Sequence, residues 1–232
     1  MTLSICTICQ DEETTISWLL DCCVTAYAKL KNNLKEVIIV DGGSVDNTVK
    51  VIESYRDKLP LVLIQHPFDT WGEQRNRYIE YASGEFIFGP DADMTWTHNL
   101  ADAFLAGQFN NTLFWNFHLY SCAQDRHHYS ISNSNGATMR LWKNGPRFVT
   151  NFHERLEGQH ECPALCQNVF LFENSLLLTE AQLLNRGTRL QPFQQQLQNA
   201  GIGPGDPDRY IRAQKEAAIN LAKLPESIIS LL

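Results

Sequence analysis

The sequence predicts an α/β fold, a mixed but mainly parallel sheet flanked by helices, with a helical C-terminal extension. Two observations predict it. The first half alternates short apolar runs with stretches of helical spacing, the rhythm of βαβ units, and those runs end in turn-forming or acidic residues, where open α/β sheets bind ligands. Beyond Asn99 the alternation gives way to neighbouring strand signals and then to a Leu- and Gln-rich tail.

"LSICTIC" (3–9) reads as the first strand. After the polar "QDEETT", Ile16, Leu19, Leu20, Cys23, Tyr27 and Leu30 recur at helical spacing and predict a helix with one buried stripe. "EVIIVD" (36–41) is β-branched throughout its centre, which fits a strand buried on both faces. Ser44 is placed to cap the next helix, whose apolar face is Val45, Val49, Ile52 and Tyr55. "LVLIQ" (61–65) is a third strand, Gly72 to about Tyr81 a helix, and "EFIFG" (85–89) a fourth strand. A helix near Leu100–Phe109 follows, then strands at "TLFWNFHLY" and "ATMRLWK"; two strands joined without a helix suggest an antiparallel edge. "NAGIGPGDPD" (199–208) marks a linker or bend, and "RYIRAQKEAAINLAKL" (209–224) resumes helical character before the apolar "SIISLL". That end packs as a terminal helix or contacts a partner or membrane surface.

Composition narrows the function. Nineteen basic against 26 acidic side chains give a formal charge of −7, which argues against affinity built on coating phosphate backbones. No run is long enough to cross a bilayer and no leader precedes the first strand, so the expected location is cytoplasmic. Seven cysteines, an odd count, suit reduced thiols. Cys6 and Cys9 have CxxC spacing but lie in an apolar strand, where core packing is the expectation. Cys162 and Cys166 lie near His153 and His160, but loose spacing and the intervening Pro163 argue against a zinc site.

The chemistry concentrates in "GEFIFGPDADMTW" (84–96). Pro90 lacks a backbone N–H and turns the chain out of its strand. Asp91 and Asp93 follow, separated only by Ala92. Hard oxygen donors so placed suit Mg2+ or Mn2+ completed by substrate phosphates, and suit equally an Asp-rich turn that accepts backbone N–H groups.

Four ordered segments resemble the family 2 glycosyltransferases of the GT-A fold over roughly the first 160 residues. They are "SICTICQDEETTISWLL", "EVIIVDGGSVDNTVKVI", "GEQRNRYIEYASGEFIFGPDAD" and "ATMRLWKNGPRFVTNFHERLEG", the last similar to an Arg-Leu strand and His-Glu motif of a bacterial and viral subset. The resemblance implies a catalytic domain at 1–172, with a nucleotide-sugar-binding half at 1–98 and an acceptor half at 99–172, followed by a helical extension at 173–232. It puts the nucleotide-sugar contacts at Thr7, Asp11, Glu12, Asp41, Gly43, Arg75 and Asp91. Asp41 would hold the nucleobase and Arg75 a diphosphate oxygen; turn capping and a surface ion pair with Glu73 or Glu80 are their plainer readings. Gln74 departs from the small residue usual before that arginine. Metal contacts fall on Asp91 and Asp93, with His153 auxiliary and Mn2+ or Mg2+ as the ion. A general base is still needed. Glu154 is assigned to it, with Asp125 in reserve; adjacent His153 and Glu154 on an extended segment point to opposite faces, so only one faces the site. The plainer reading of Glu154 is a surface pair with Arg155 or Arg147.

The implied activity is metal-dependent transfer of a sugar from a UDP- or GDP-sugar to an acceptor hydroxyl, with inversion. A sugar-nucleotide nucleotidyltransferase is the alternative, weakened because "QDEETT" is not a Gly-rich basic phosphate loop; a non-catalytic nucleotide-sugar-binding module is another. The acceptor is open among a glycan, a lipid-linked sugar, a protein and, least favoured, a modified DNA base. A homo-oligomer is left open. Trp96, Trp115 and Trp142 are either core or a stacking surface for an acceptor sugar.

Overall fold

The computed structural model describes residues 1–122, 128–130, 136–150, 154–159, 163–174, 178, 180, 181, 183, 184, 215 and 221–232. In chain order its elements are β1 (Leu3–Cys9), α1 (Ile16–Leu30), β2 (Leu34–Asp41), α2 (Thr48–Glu53), β3 (Leu61–Gln65), α3 (Trp71–Tyr81), β4 (Phe86–Phe88), β5 (Met94–Trp96) and α4 (Leu100–Leu105). There follow β6 (Phe114–Ser121), β7 (His128–Ser130), β8 (Gly136–Lys143), β9 (Ala164–Glu173), β10 (Leu221–Lys223) and α5 (Glu226–Ile229).

One sheet has the order β3-β2-β1-β4-β8-β6-β9-β5. β3, β2, β1 and β4 are parallel, as βαβ connections require. β8 then pairs antiparallel with both β4 and β6, β9 runs parallel to β6, and β5 closes the far edge antiparallel to β9. The expected antiparallel pairing of β6 and β8 is present, but inside the sheet, because β9 and β5 lie beyond them.

Period-two alternation sorts the parallel strands between two cores. Leu3, Ile5 and Cys9 of β1, Val37 and Ile39 of β2, and Phe86 and Phe88 of β4 join a cluster with the stripe of α1. Cys6, Ile38, Val40 and Ile87 face the other way and pack with Tyr78 and Ile79 of α3, Phe114, Trp142 and Leu156. Cys6 and Cys9 therefore lie in different cores as buried free thiols, and burial pushes both well above the usual thiol range.

Three local expectations change. Ala26, not Tyr27, completes the buried stripe of α1. Ser44 does not cap α2, which starts later, and Asp46 accepts from the Thr48 N–H instead; Val45 is 90% exposed rather than part of an apolar face. Leu221–Lys223, expected as helix, is a strand antiparallel to β7. β7 supplies backbone partners at that point, and tertiary pairing overrides helix propensity. Behind β10, Leu224 and Ile228 pack on Cys122 and Phe172, so the described end of the chain covers the β6–β9 side of the sheet. Trp96 and Trp142 are core, and Trp115 is partly buried with its Nε1–H donating to the Phe109 carbonyl. Among the described residues no helix is long and apolar enough to cross a membrane, and no group of three His, Cys, Asp or Glu residues is arranged to hold a metal. His153, His160, Cys162 and Asp125 lie outside the described residues.

Candidate active site

The carboxyl ends of β1, β2 and β4 gather most of the residues singled out above. Two loops form one wall. Asp41, at the end of β2 and 1% exposed, accepts from the Gly43 and Ser44 N–H groups and the Ser44 hydroxyl. Gly43 has φ +94°, a conformation costly for a residue with a Cβ. Cys9 Sγ lies 3.9 Å from Asp41 Oδ1, and that carboxylate adds to burial in raising the thiol's pKa.

The β1–α1 loop is stapled to this turn. Ser44 Oγ accepts from Asp11 N, Asp11 Oδ1 accepts from Val45 N at 2.8 Å, and Thr48 Oγ1 accepts from Glu12 N at 2.7 Å. Asp11 has φ +53°, a strained position held by these bonds. The buried Glu12 carboxylate accepts from Thr15 Oγ1 at 2.7 Å. Thr7 is buried in β1, with a long 3.4 Å contact from its hydroxyl to the Ile8 carbonyl. In this arrangement Asp11, Glu12 and Asp41 organise the turns that carry them.

Beyond β4 the chain makes its outward turn. Gly89 N donates to the Arg140 carbonyl on β8, and Met94 N to the Asp91 carbonyl, closing a tight turn that carries the chain across to β5. Gly89 admits no side chain, since a Cβ there would lie 2.6 Å from Trp142 Cη2. Asp93 is buried, and buried Asn174, just past β9, pins its carbonyl through both backbone and side-chain N–H groups at 2.9 and 2.8 Å.

The second wall comes from α3 and the two stretches 147–150 and 154–157. Thr70 caps α3 through the Glu73 N–H, and Arg75 then reaches Asp91 just past β4. Asn76 clamps the Phe148 backbone, accepting its N–H at 2.8 Å and donating to its carbonyl at 3.0 Å. Val149 N–Arg155 O and Glu157 N–Arg147 O bonds pair these two stretches. The result brings Glu154 to Arg75, 79 residues away in sequence.

Arg75 is 5% exposed and uses its guanidinium as a bridge. Nε–H donates to Glu154 Oε1 at 2.8 Å and Nη2–H to Asp91 Oδ1 at 2.5 Å. Burial opposes its charge, but the Asp91 and Glu154 carboxylates outweigh that and hold its pKa well above the ordinary value. Arg140 donates to the other oxygen of Asp91. Neither plainer pairing occurs: Arg75 is not a surface partner of Glu73 or Glu80, and Glu80 pairs with Arg147. Tyr78 lies directly behind, its phenol pushed up by burial while Arg75 pulls the other way.

Arg75, Arg140 and Glu154 line a cavity of about 120 Å³ with Gly89, Thr138, Trp142, Phe148 and Gln159. Arg140 and Trp142 thus line the site from β8; in the sequence, Arg140 falls in an Arg-Leu strand without a role and Trp142 reads only as core or a stacking surface. The available signal was an arginine in an otherwise apolar strand, "TMRLW", which a buried ion pair explains better than packing.

The model of "Glycosyl transferase family 2" matches residues 4–170. The chain belongs to glycosyl transferase family 2. Over 60 residues, a quarter of its length, it is 38% identical to the poly(ribitol-phosphate) beta-N-acetylglucosaminyltransferase TarS of Staphylococcus aureus, matching 10% of that protein. Over 59 residues it is 37% identical to the uncharacterized glycosyltransferase YibD of Escherichia coli K12, matching 17% of it. The chain therefore spans a small share of the curated relatives it matches. The crystal structure of S. aureus TarS 1–349 superposes with a TM-score of 0.55 at 17% identity, covering 82% of this chain and 65% of that one. The sheet flanked by helices is the GT-A architecture of these family 2 relatives.

Proposed function

We propose that this family 2 protein transfers a sugar from a nucleoside diphosphate donor to an acceptor hydroxyl by direct displacement with inversion. The observation that supports this best is the meeting of Asp91 and Glu154 on one buried arginine at the end of β4. A carboxylate suited to take a proton is thereby held next to the carboxylate turn, where the family's donor is expected. A non-catalytic module would not require that placement. Residues 1–98 form the donor half on this reading and 99–172 the acceptor half.

Within it, Asp41 fixes the turn against which the nucleobase rests, with Thr7, Asp11, Glu12 and Gly43 shaping that wall. Glu154 takes the acceptor hydroxyl proton, and Arg75 orients it. Asp125 and His153 keep their assignments as reserve base and auxiliary metal contact. The chemistry of the donor set fits a divalent ion: Asp93 brings a carboxylate to the turn, and Asp91 brings a second, whose oxygens accept from Arg75 and Arg140. Asp93 would hold Mn2+ or Mg2+ together with the donor phosphates, with Asp91 beside it. Such an ion would neutralise charge on the departing diphosphate.

The name of TarS makes UDP-N-acetylglucosamine the first donor to test, followed by UDP-glucose, UDP-galactose and GDP-mannose, each with Mn2+. Donor-dependent thermal stabilisation and donor hydrolysis are the readouts. Asp93→Ala should remove metal-dependent donor binding, while Glu154→Gln keeps binding and loses turnover. No stabilisation by any donor in the presence of metal would refute the proposal, and normal turnover by Glu154→Gln would remove the base assignment alone.

A further inference from the structure

The two carboxylates of the turn after β4 are held by different means. Asp91 is gripped at its side chain, by Arg75 and Arg140. Asp93 is gripped at its backbone, and from 81 residues away. Asn174 gives the Asp93 carbonyl two hydrogen bonds, from its own backbone N–H at 2.9 Å and from its side-chain Nδ2–H at 2.8 Å. A carbonyl oxygen has two lone pairs, and both are used here. The N–H of the same peptide, that of Met94, donates to the Asp91 carbonyl at 2.9 Å. The peptide between Asp93 and Met94 is therefore tied at both ends, and rotating it to re-aim the Asp93 side chain would break all of these bonds.

Strand pairing alone does not reach this point. β5 lies at the edge of the sheet, and its pairs with β9, Met94–Glu173, Thr95–Phe172 and Trp96–Leu171, stop before Asp93. Asn174 adds the next rung from a fixed support: the Glu173 carbonyl accepts the Cys122 N–H at 2.9 Å, the Glu173 carboxylate accepts from the Ser121 hydroxyl at 3.0 Å, and Phe172 packs with Leu224 and Ile228. As a space-filler the side chain would be a poor choice. Asn174 is 1% exposed, and its Oδ1 has no hydrogen-bond partner among the described residues; leucine has the same branched shape and would bury no polar oxygen. What the amide supplies is its Nδ2 group, directed at the Asp93 carbonyl, with longer contacts of 3.4 Å to Thr95 Oγ1 and the Phe172 carbonyl.

We infer that Asn174 is a positioning residue for the metal-binding carboxylate of Asp93, acting through the Asp93 backbone. The inference rests on the function proposed above, in which Asp93 holds Mn2+ or Mg2+ with the donor phosphates. Groups that orient a metal ligand without touching the metal change its affinity by about 10–100-fold when removed. Asn174 lies beyond residue 170, where the family match ends, in the stretch that reads from sequence as the extension. The catalytic unit accordingly runs through Asn174.

The test measures Mn2+ binding to the full chain in the presence of UDP, from the loss of the free ion's electron paramagnetic resonance signal. Asn174→Leu removes the Nδ2–H and keeps both the branched shape and the backbone bond to Asp93; Asn174→Ala serves if it does not fold. Either should weaken Mn2+ binding about tenfold. Because the deficit lies in metal affinity, saturating Mn2+ should return UDP binding, followed by calorimetry, to the wild-type value. Thr95→Val removes the other polar side chain within reach of Nδ2 and should leave Mn2+ affinity unchanged. Unchanged Mn2+ affinity in Asn174→Leu, a loss that Thr95→Val reproduces, or a loss of UDP binding that excess Mn2+ does not restore would each assign the amide to the packing of β5. Any of these overturns the inference and leaves the transferase reading intact. Failure of the wild-type protein to bind Mn2+ in the presence of UDP overturns the metal site of that reading together with this inference.

Discussion

Arg75 offers the sharpest test of how the site is held together. Replacing it by methionine keeps the aliphatic stem and removes the guanidinium. Asp91 and Glu154 then lose a shared cation, with contacts of 2.5 and 2.8 Å, from a position only 5% exposed. Removing one partner of a fully buried pair costs about 3–5 kcal/mol. Two features reduce that here: the Asp91 and Glu154 side chains are 31% and 21% exposed, and Asp91 retains Arg140. Arg75→Met should therefore destabilise the protein by about 2–3 kcal/mol. Arg75→Lys, which keeps a charge but not a fork that meets two carboxylates, should cost about 1 kcal/mol.

The assay is urea unfolding at pH 7, followed by a double-mutant cycle with Glu154→Gln. Glu154→Gln should cost less in the Arg75→Met background than in wild type, since the charge it neutralises is by then unpaired, giving a coupling of about 1 kcal/mol. The pH dependence has a definite sign. Arg75 has a folded pKa raised above the ordinary guanidinium value, so its contribution is fully present below the ordinary value and is lost only as pH climbs through the folded one. Between pH 6 and pH 9 the difference between wild type and Arg75→Met should stay flat. Additive single-mutant effects, or a difference that shrinks across that range, would refute the reading of Arg75 as the bridge.

Other consequences are simpler to check. Gly89→Ala should cost about 1–3 kcal/mol, because its Cβ would meet the immobile Trp142 ring at 2.6 Å; thermal melts measure it, and an unchanged melting temperature would mean that the ring yields. Ser44→Ala removes the hydroxyl that accepts from Asp11 N and donates to Asp41, and should cost about 1–2 kcal/mol and weaken UDP binding more than it alters the metal requirement. Asp69 has its carboxyl held below the ordinary carboxylate value: burial acts to raise it, and bonds from Arg77 and the Thr70 N–H more than compensate. A depressed folded pKa contributes stability above the ordinary value that is lost as pH falls through the folded one. Asp69→Asn should thus destabilise at pH 7, and its difference from wild type should shrink only as pH falls below the ordinary carboxylate range.

The parallel half of the sheet was readable because its signals are local. "LSICTIC" and "LVLIQ" are uninterrupted apolar strands whose bounds match β1 and β3, and α3 starts at a Thr cap a residue before the expected helix. β5 is three residues long, too short for any period to register. β9 is longer, but its pairing with β6 shifts register between Phe117 and His118, so its burial pattern loses strict alternation. The end of the chain reads as helix by propensity, and only the distant edge of β7 turns Leu221–Lys223 into strand. At the site the same division holds. Asp91 and Asp93 announce themselves by position after a strand, whereas the Arg75–Glu154 contact spans 79 residues and depends on the Asn76–Phe148 clamp. No spacing rule encodes that.

The bridge also changes how substitutions at this site should be interpreted. The resemblance read from the sequence implies a diphosphate contact at Arg75 and a base at Glu154, two independent roles whose losses would multiply. Because Arg75 Nε–H holds Glu154 Oε1 at 2.8 Å, deleting the arginine also releases the proposed base. A lower kcat in Arg75→Met then reports lost orientation as much as lost phosphate contact. The choice of replacement at 154 separates these effects. Gln keeps an oxygen to accept from Arg75 while giving up the proton affinity needed for catalysis, whereas Ala gives up both. If Glu154 acts as the base, Glu154→Gln and Glu154→Ala should lose kcat to a similar extent, and only Glu154→Ala should also lose stability. If Glu154 serves only to position Arg75, Glu154→Gln should retain most of the wild-type rate. The ratio of the two rates therefore distinguishes a base from a brace within one pair of variants.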